Sequence, residues 1–175
     1  MTPYAPIEKS YEVIPNKFYA GEYPRGVDDD ESQERIDRFL QFGITDFINL
    51  TGNNGDRRGL KPYDQLLPND VRTHHFPIED YTLPQSFEEL HHILTTIDEL
   101  INAGHKVYVH CFAGVDRTGM IVACWFAYQG LSAEQSFNEY EKRWKTNPKS
   151  KEIDWQPLIY VRKNYIEQYI LWKNK

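Results

Sequence analysis

The sequence predicts an α/β fold, with a central mixed, partly parallel sheet flanked by helices. Three observations carry that prediction. Short apolar runs alternate along the chain with longer stretches whose apolar residues recur three and four apart, the order that builds strand–helix–strand units. Several of those stretches open on a serine or acidic residue and close near a glycine, as capped helices do. The 175 residues are 40% hydrophobic and 14% aromatic, enough apolar material for one sizeable core.

Taken in order, residues 1–10 read as an extended arm. "YEVIPNKFYAGEYP" holds two β-like runs around Pro15-Asn16 and reads as a hairpin. "DDDESQERIDRFLQFG" reads as a helix with Ile36, Phe39 and Leu40 on one face, Gly43 as its stop, and the acidic 28–31 run at its positive end. "ITDFINLT" is a strand, and residues 52–70 form a long polar loop carrying Arg57, Arg58 and Lys61. "VRTHHFPI" reads as a further strand running into the turn-rich "EDYTLPQ". Ser86 and Glu89 form a capping box for a helix with Phe87, Leu90, Leu94, Ile97 and Ile101, ending at Gly104. "HKVYVHC" is a buried strand, and "RTGMIVACWFAYQG" an apolar helix ending at Gly130. Ser132 and Gln135 cap the next helix, to about Trp144. A last helix begins near Asp154 and is expected to pack on the body through Trp155, Tyr160, Tyr165, Tyr169 and Trp172. No repeat or linker interrupts the order, so residues 1–175 are expected to form a single domain.

The net charge of −6 gives no general attraction to nucleic acid or to an anionic membrane. Any bound anion must be held by local geometry. Cys111 and Cys124 are too few for a disulfide scaffold and suggest a reducing compartment. The N-terminus has neither a basic region nor an apolar run of signal-peptide type, and no stretch reaches the ~18 apolar residues of a membrane span. A cytoplasmic monomer is the expectation, although export without a signal would leave no trace here. Adjacent histidines at 74–75 and 91–92 lack the i, i+4 spacing of a helical zinc site, so neither a metal nor a cofactor is expected.

"YVHCFAGVDRTGMIV", residues 108–122, concentrates the chemistry. An apolar strand delivers Cys111 to a turn, "FAGVD", whose successive backbone N–H groups can form an anion-binding nest. The helix N-terminus behind it adds unpaired donors and partial positive charge. Phe112, Ala113, Gly114, Val115, Asp116 and Arg117 are thus candidate phosphate-binding positions. Gly114 permits close backbone approach, and the Arg117 guanidinium can grip two phosphate oxygens. The same field favours the thiolate of Cys111, a nucleophile. Thr118 can donate its hydroxyl to the leaving sulfur, and His110 is read as bonding loop carbonyls rather than acting as a base. Cys124 reads as a small core residue, with an oxidative bridge to Cys111 as the other reading.

"HCFAGVDRTG" resembles the His-Cys-x-x-Gly-x-x-Arg-Thr-Gly signature of the cysteine-dependent protein tyrosine phosphatase superfamily, with six fixed positions matched. The element order resembles its compact dual-specificity branch, from about Tyr11 to Trp144. The resemblance implies a metal-independent phosphatase working through a phosphocysteine on phosphotyrosine, phosphoserine or phosphothreonine proteins. It also implies a general acid on a loop about thirty residues before the cysteine. Asp80 stands 31 residues before Cys111, with Glu79 as the adjacent alternative. Many members carry glycine where Asp116 stands. An aspartate there resembles bacterial Gly-Lys-Asp-Arg loops and some lipid phosphatases, although Val115 replaces the lysine. Phosphoinositides or inositol phosphates are therefore the alternative substrates, and a non-catalytic phosphate-binding module is the alternative outside enzymes. Asp116 is expected to point outward, bonding a neighbouring loop and orienting Arg117; the other role is a second acid. Arg57, Arg58 and Lys61 are candidate substrate-loop residues.

Overall fold

The computed structural model describes residues 4–52, 60–153 and 156–175, and for residues 156–161 the backbone alone. β1 (Ser10–Ile14) and β2 (Phe18–Gly21) form an antiparallel hairpin, with Asn16 at the left-handed φ of 62° that its turn requires. The chain continues through α1 (Asp29–Phe42), β3 (Asp46–Asn49), a 3-10 turn at Asp64–Leu66, β4 (Arg72–His75) and α2 (Phe87–Asn102). β5 (Val107–His110), α3 (Asp116–Tyr128), α4 (Ala133–Trp144), a 3-10 turn at Pro148–Lys151 and α5 (Gln156–Lys173) complete it. The sheet runs β1-β2-β5-β3-β4; only the β1–β2 pair is antiparallel.

Strand alternation divides the interior in two. On β5, Val107 and Val109 face one side, where Phe18, Ala20 and Ile48 join residues of α2, α3, α4 and α5. Tyr108 faces the other side, with Tyr19, Phe47 and Tyr63, against Ile36 and Phe39 of α1. α3 is buried from Arg117 to Ala127, because helices pack around it on the first side. Each large apolar side chain removed from water there contributes on the order of 1.5–3 kcal/mol.

The caps form largely as the sequence suggests. Asp28 accepts from the Glu31 N–H and Gly43 closes α1 at φ 93°, while Ser132 and Gln135 make a reciprocal capping box. At α2 only half the expected box forms: Ser86 accepts from Glu89 N–H, but the Glu89 carboxylate reaches one residue further back, to Gln85 N–H. β4 is shorter than the expected strand, ending at His75, although the N–H groups of Phe76 and Ile78 still donate to Asn49 O (2.9 Å) and Leu50 O (3.0 Å). Pro77 lies between these two donors, where no N–H is needed toward β3. α5 packs against α3 and α4. Its Tyr165, Tyr169 and Trp172 rings gather around Phe87 of α2, and the Tyr169 hydroxyl lies 2.9 Å from His91 Nδ1. Trp155 and Tyr160 lie outside the described side chains.

Register positions the functional end of the sheet. Gly21, Asn49 and His75 all align with His110 in one row across β2, β5, β3 and β4. The parallel strands therefore end level, and the segments after them, at residues 22–23, 50–52, 76–80 and 111–115, emerge together. That is where open α/β sheets bind ligands. Among the described residues, no helix is long and apolar enough to cross a membrane.

Candidate active site

Cys111 follows β5 directly and is 2% exposed. The three carbonyls that begin the loop are each held by an outside partner. Cys111 O accepts from His110 Nδ1 (3.0 Å), Phe112 O from Tyr23 N–H (2.9 Å), and Ala113 O from Lys149 Nζ (2.6 Å). In a planar trans peptide the C=O and the following N–H point in opposite directions. The N–H groups of Phe112, Ala113 and Gly114 are thus directed away from these partners. Successive N–H groups of this kind can form an anion nest, and the N-terminus of α3 stands next to them. Gly114, at φ 71°, makes the turn possible, and its bare Cα lies against the chain leaving β2.

His110 is fully buried among the rings of Tyr23, Tyr63 and Tyr108. Burial lowers its pKa to about 3, because no water solvates a charged ring there. The neutral ring must carry its proton on Nδ1 to donate to the Cys111 carbonyl. Nε2 is then the acceptor for the Tyr63 hydroxyl at 2.6 Å. His110 is a donor to the loop, as its sequence position suggested.

Arg117 is 3% exposed and reaches the loop after β4. Its Nη1 donates to Ile78 O at 3.0 Å and its Nη2 lies 3.2 Å from Asp80 Oδ1. Asp80 Oδ1 also accepts from Tyr81 N–H at 3.1 Å. Glu79 is exposed, so of the two acid candidates it is Asp80 that meets the arginine. Thr118 is fully buried, and its hydroxyl has no hydrogen-bond partner among the described residues. Val115, the N-cap residue of α3, is also buried.

Asp116 departs from expectation. Its carboxylate is bonded by Arg162 of α5, not by a neighbouring loop. The cause is the docking of α5 on α3, which brings a buried cation beside the first residue of α3. Burial lowers the Arg162 pKa to about 10, against opposing interactions with Tyr11 and Cys111, so it stays charged at neutral pH. Arg57 and Arg58 lie outside the described residues. Lys61 is exposed, with its ammonium 3.8 Å from Asp29 at the start of α1.

Cys124 is wholly buried in α3, and burial pushes its thiol up; it packs as a core residue. The adjacent histidines separate, as strand and helix geometry requires. His74 bonds Asp46 at 2.8 Å and His75 lies 3.2 Å from Asp64; His91 meets Tyr169 and His92 the Phe76 ring. A cavity of about 1110 Å³ lies elsewhere, between the outer edge of β1 and residues of α1 and α4, and none of the loop residues 111–117 lines it.

Four residues that sequence reasoning missed complete the surroundings: Glu22, Arg35, Lys149 and Arg162. Lys149 Nζ lies 2.9 Å from Glu22 Oε2, and Arg35 Nη2 lies 3.0 Å from Glu22 Oε1. Nothing in their spacing marked them, because charged residues in a linker or a helix read as solvated. Only the charge of Lys149 and Lys151 in "TNPKSK", on a segment following a capped helix, offered a weak signal.

A family model described as "Polymorphic toxin system, DSP-PTPase phosphatase" matches residues 28–131, more than half of the chain. The "Putative tyrosine phosphatase 067L" of Invertebrate iridescent virus 3 is 26% identical over 163 residues, covering 89% of this chain and 63% of the viral protein. The "Phosphatidylinositol 3,4,5-trisphosphate 3-phosphatase and protein-tyrosine-phosphatase PTEN1" of Arabidopsis thaliana is 35% identical over 81 residues, or 43% of this chain and 19% of the plant protein. This chain thus spans less than two thirds of either relative. The solved structure of Tk-PTP in the active form superposes with a TM-score of 0.66 at 22% identity, over 96% of this chain and 99% of that one. That likeness shows the shared fold.

Proposed function

The chain belongs to the DSP-PTPase phosphatase family of polymorphic toxin systems, and from that premise we propose that it hydrolyses phosphate monoesters through a phosphocysteine. The observation that carries the reading is the loop itself: three carbonyls tied outward around a buried cysteine, with Arg117 and Asp80 in contact beside it. In this reading the Phe112, Ala113 and Gly114 N–H groups and the Arg117 guanidinium hold the phosphoryl oxygens. The Cys111 sulfur attacks phosphorus and forms the S–P bond as the P–O bond to the leaving group breaks. Asp80 gives its proton to that leaving oxygen. The Asp80 carboxylate then takes a proton from water, whose oxygen attacks phosphorus, breaks the S–P bond and releases phosphate. The Thr118 hydroxyl, without a hydrogen-bond partner among the described residues, is suited to stabilise the departing thiolate. Asp116, engaged by Arg162, acts as a support and not as the acid.

Phosphotyrosine, phosphoserine or phosphothreonine proteins are the proposed substrates. Phosphoinositides are the second reading, favoured by the plant relative, whose name joins both activities. The first test is turnover of an aryl phosphate. Cys111→Ser is expected to abolish it, and Asp80→Asn to lower kcat by about 10²–10⁴-fold with vanadate affinity retained. Wild-type turnover in Cys111→Ser overturns the mechanism. Ratios of kcat/KM across phosphopeptides and phosphoinositides then separate the two substrate classes.

A further inference from the structure

We propose that Lys149 is a positioning residue of the phosphate loop, aiming the Gly114 N–H at the bound anion and keeping net positive charge behind the peptide that carries it. The proposal rests on the phosphatase reading above. Lys149 lies on the 3-10 turn after α4, with its own N–H bonded to the Asn147 side chain at 3.1 Å. Its side chain is 14% exposed and extends to Ala113 O (2.6 Å) and Glu22 Oε2 (2.9 Å). The other carboxylate oxygen of Glu22 is taken by Arg35, whose guanidinium also donates to the carbonyls of Pro24 and Tyr23. The Glu22 carbonyl in turn accepts from the Tyr108 hydroxyl at 2.7 Å. Arg35, Glu22 and Lys149 of the relay Arg35–Glu22–Lys149–Ala113 are thereby each fixed from a second direction.

Two consequences follow from elementary chemistry. An ammonium on the Ala113 carbonyl fixes the plane of the Ala113–Gly114 peptide, and planarity sends the Gly114 N–H the opposite way. Polarising that carbonyl also strengthens the N–H as a donor. Two cations share one carboxylate, so the relay itself carries a net positive charge, with Lys149 set against the loop. Within the loop, "CFAGVD" contributes no cation before Arg117. Lys149 therefore supplies from outside the charge that the loop lacks.

The test measures orthovanadate affinity, aryl-phosphate kinetics and the ¹H–¹⁵N signal of Gly114 in the full chain. Lys149→Met is expected to weaken vanadate about tenfold, the loss of a hydrogen bond to a charged group. It should also shrink the displacement of the Gly114 signal on vanadate binding. Lys149→Arg should restore affinity to within about threefold of wild type. Glu22→Gln removes a negative charge while keeping an acceptor, and should tighten vanadate about two- to threefold. A brace with no electrostatic part would weaken binding in both Lys149→Met and Glu22→Gln, and that result overturns the proposal. Should Lys149→Met not fold, Glu22→Gln decides alone: tightening supports the proposal and weakening overturns it. A wild-type protein that turns over substrate and binds vanadate no better than Lys149→Met overturns this proposal only. A wild type that binds no vanadate overturns the phosphatase reading as well.

Discussion

Gly114 has no room for a side chain: a Cβ there would lie 2.2 Å from the carbonyl carbon of Gly21 and 2.4 Å from the Glu22 nitrogen. Both atoms are backbone, so nothing nearby can swing aside. Gly114→Ala would combine this clash with a φ that alanine resists, at a cost of at least about 2 kcal/mol. For a chain of this length that is a fall of roughly 4–8 °C in Tm, with weakened vanadate binding alongside. Thermal melts with and without vanadate measure both, and an unchanged Tm would mean that the segment after β2 yields freely. This glycine was legible in the sequence, as were Cys111, Arg117 and the carbonyl-bonding role of His110. Each of them acts within a few residues of its own position. The partner of Asp116 was not legible, because Arg162 reaches it only through the docking of one helix on another.

Among the elements, α5 holds the molecule's functional end in place without contributing to the loop's own sequence. It touches α3 and α4, and its Ile166 and Tyr169 are fully buried in the core that also contains Cys111. Ile166→Ala leaves a cavity in a packed interior and should cost about 2–5 kcal/mol, read as a lower urea midpoint at unchanged slope. A loss under about 1 kcal/mol would mean that α5 is loosely seated. Helix starts and stops were legible because caps are local devices of three or four residues. Strand ends were less so: nothing in "VRTHHFPI" shows that β4 stops at His75. The 3-10 turn within the 52–70 loop escaped for the same reason, since a single turn has too few residues to show a period.

At the scale of the whole molecule, two buried groups at opposite ends of the sheet tie stability to pH. His110 has a folded pKa of about 3 against an ordinary value of 6.5. Below pH 6.5 the unfolded chain takes up a proton that the folded chain refuses, so stability falls as pH drops, by up to about 1.4 kcal/mol per unit, until the folded pKa is reached. At the other end, burial raises the Asp46 carboxyl, but hydrogen bonds from His74, His105 and Thr45 outweigh it and hold it below its ordinary value. Its contribution is present above the usual carboxylate range and is lost at more acid pH. Urea midpoints should therefore decline steadily from pH 6.5 toward 4, and His110→Gln, which cannot titrate, should decline less. Equal slopes in the two proteins would assign the acid sensitivity to other groups. The overall α/β order was readable because periodicity and punctuation run along the chain; the level strand ends that gather the site depend on register across it. Chain order also gives this geometry a timing. A ribosome releases Cys111 and Arg117 well before Lys149 and Arg162, so a growing polypeptide carries its reactive thiol before the residues that brace the surrounding loop. Translation must pass α5 before these contacts can form, and a product cut short after α4 would keep the signature residues while lacking both braces.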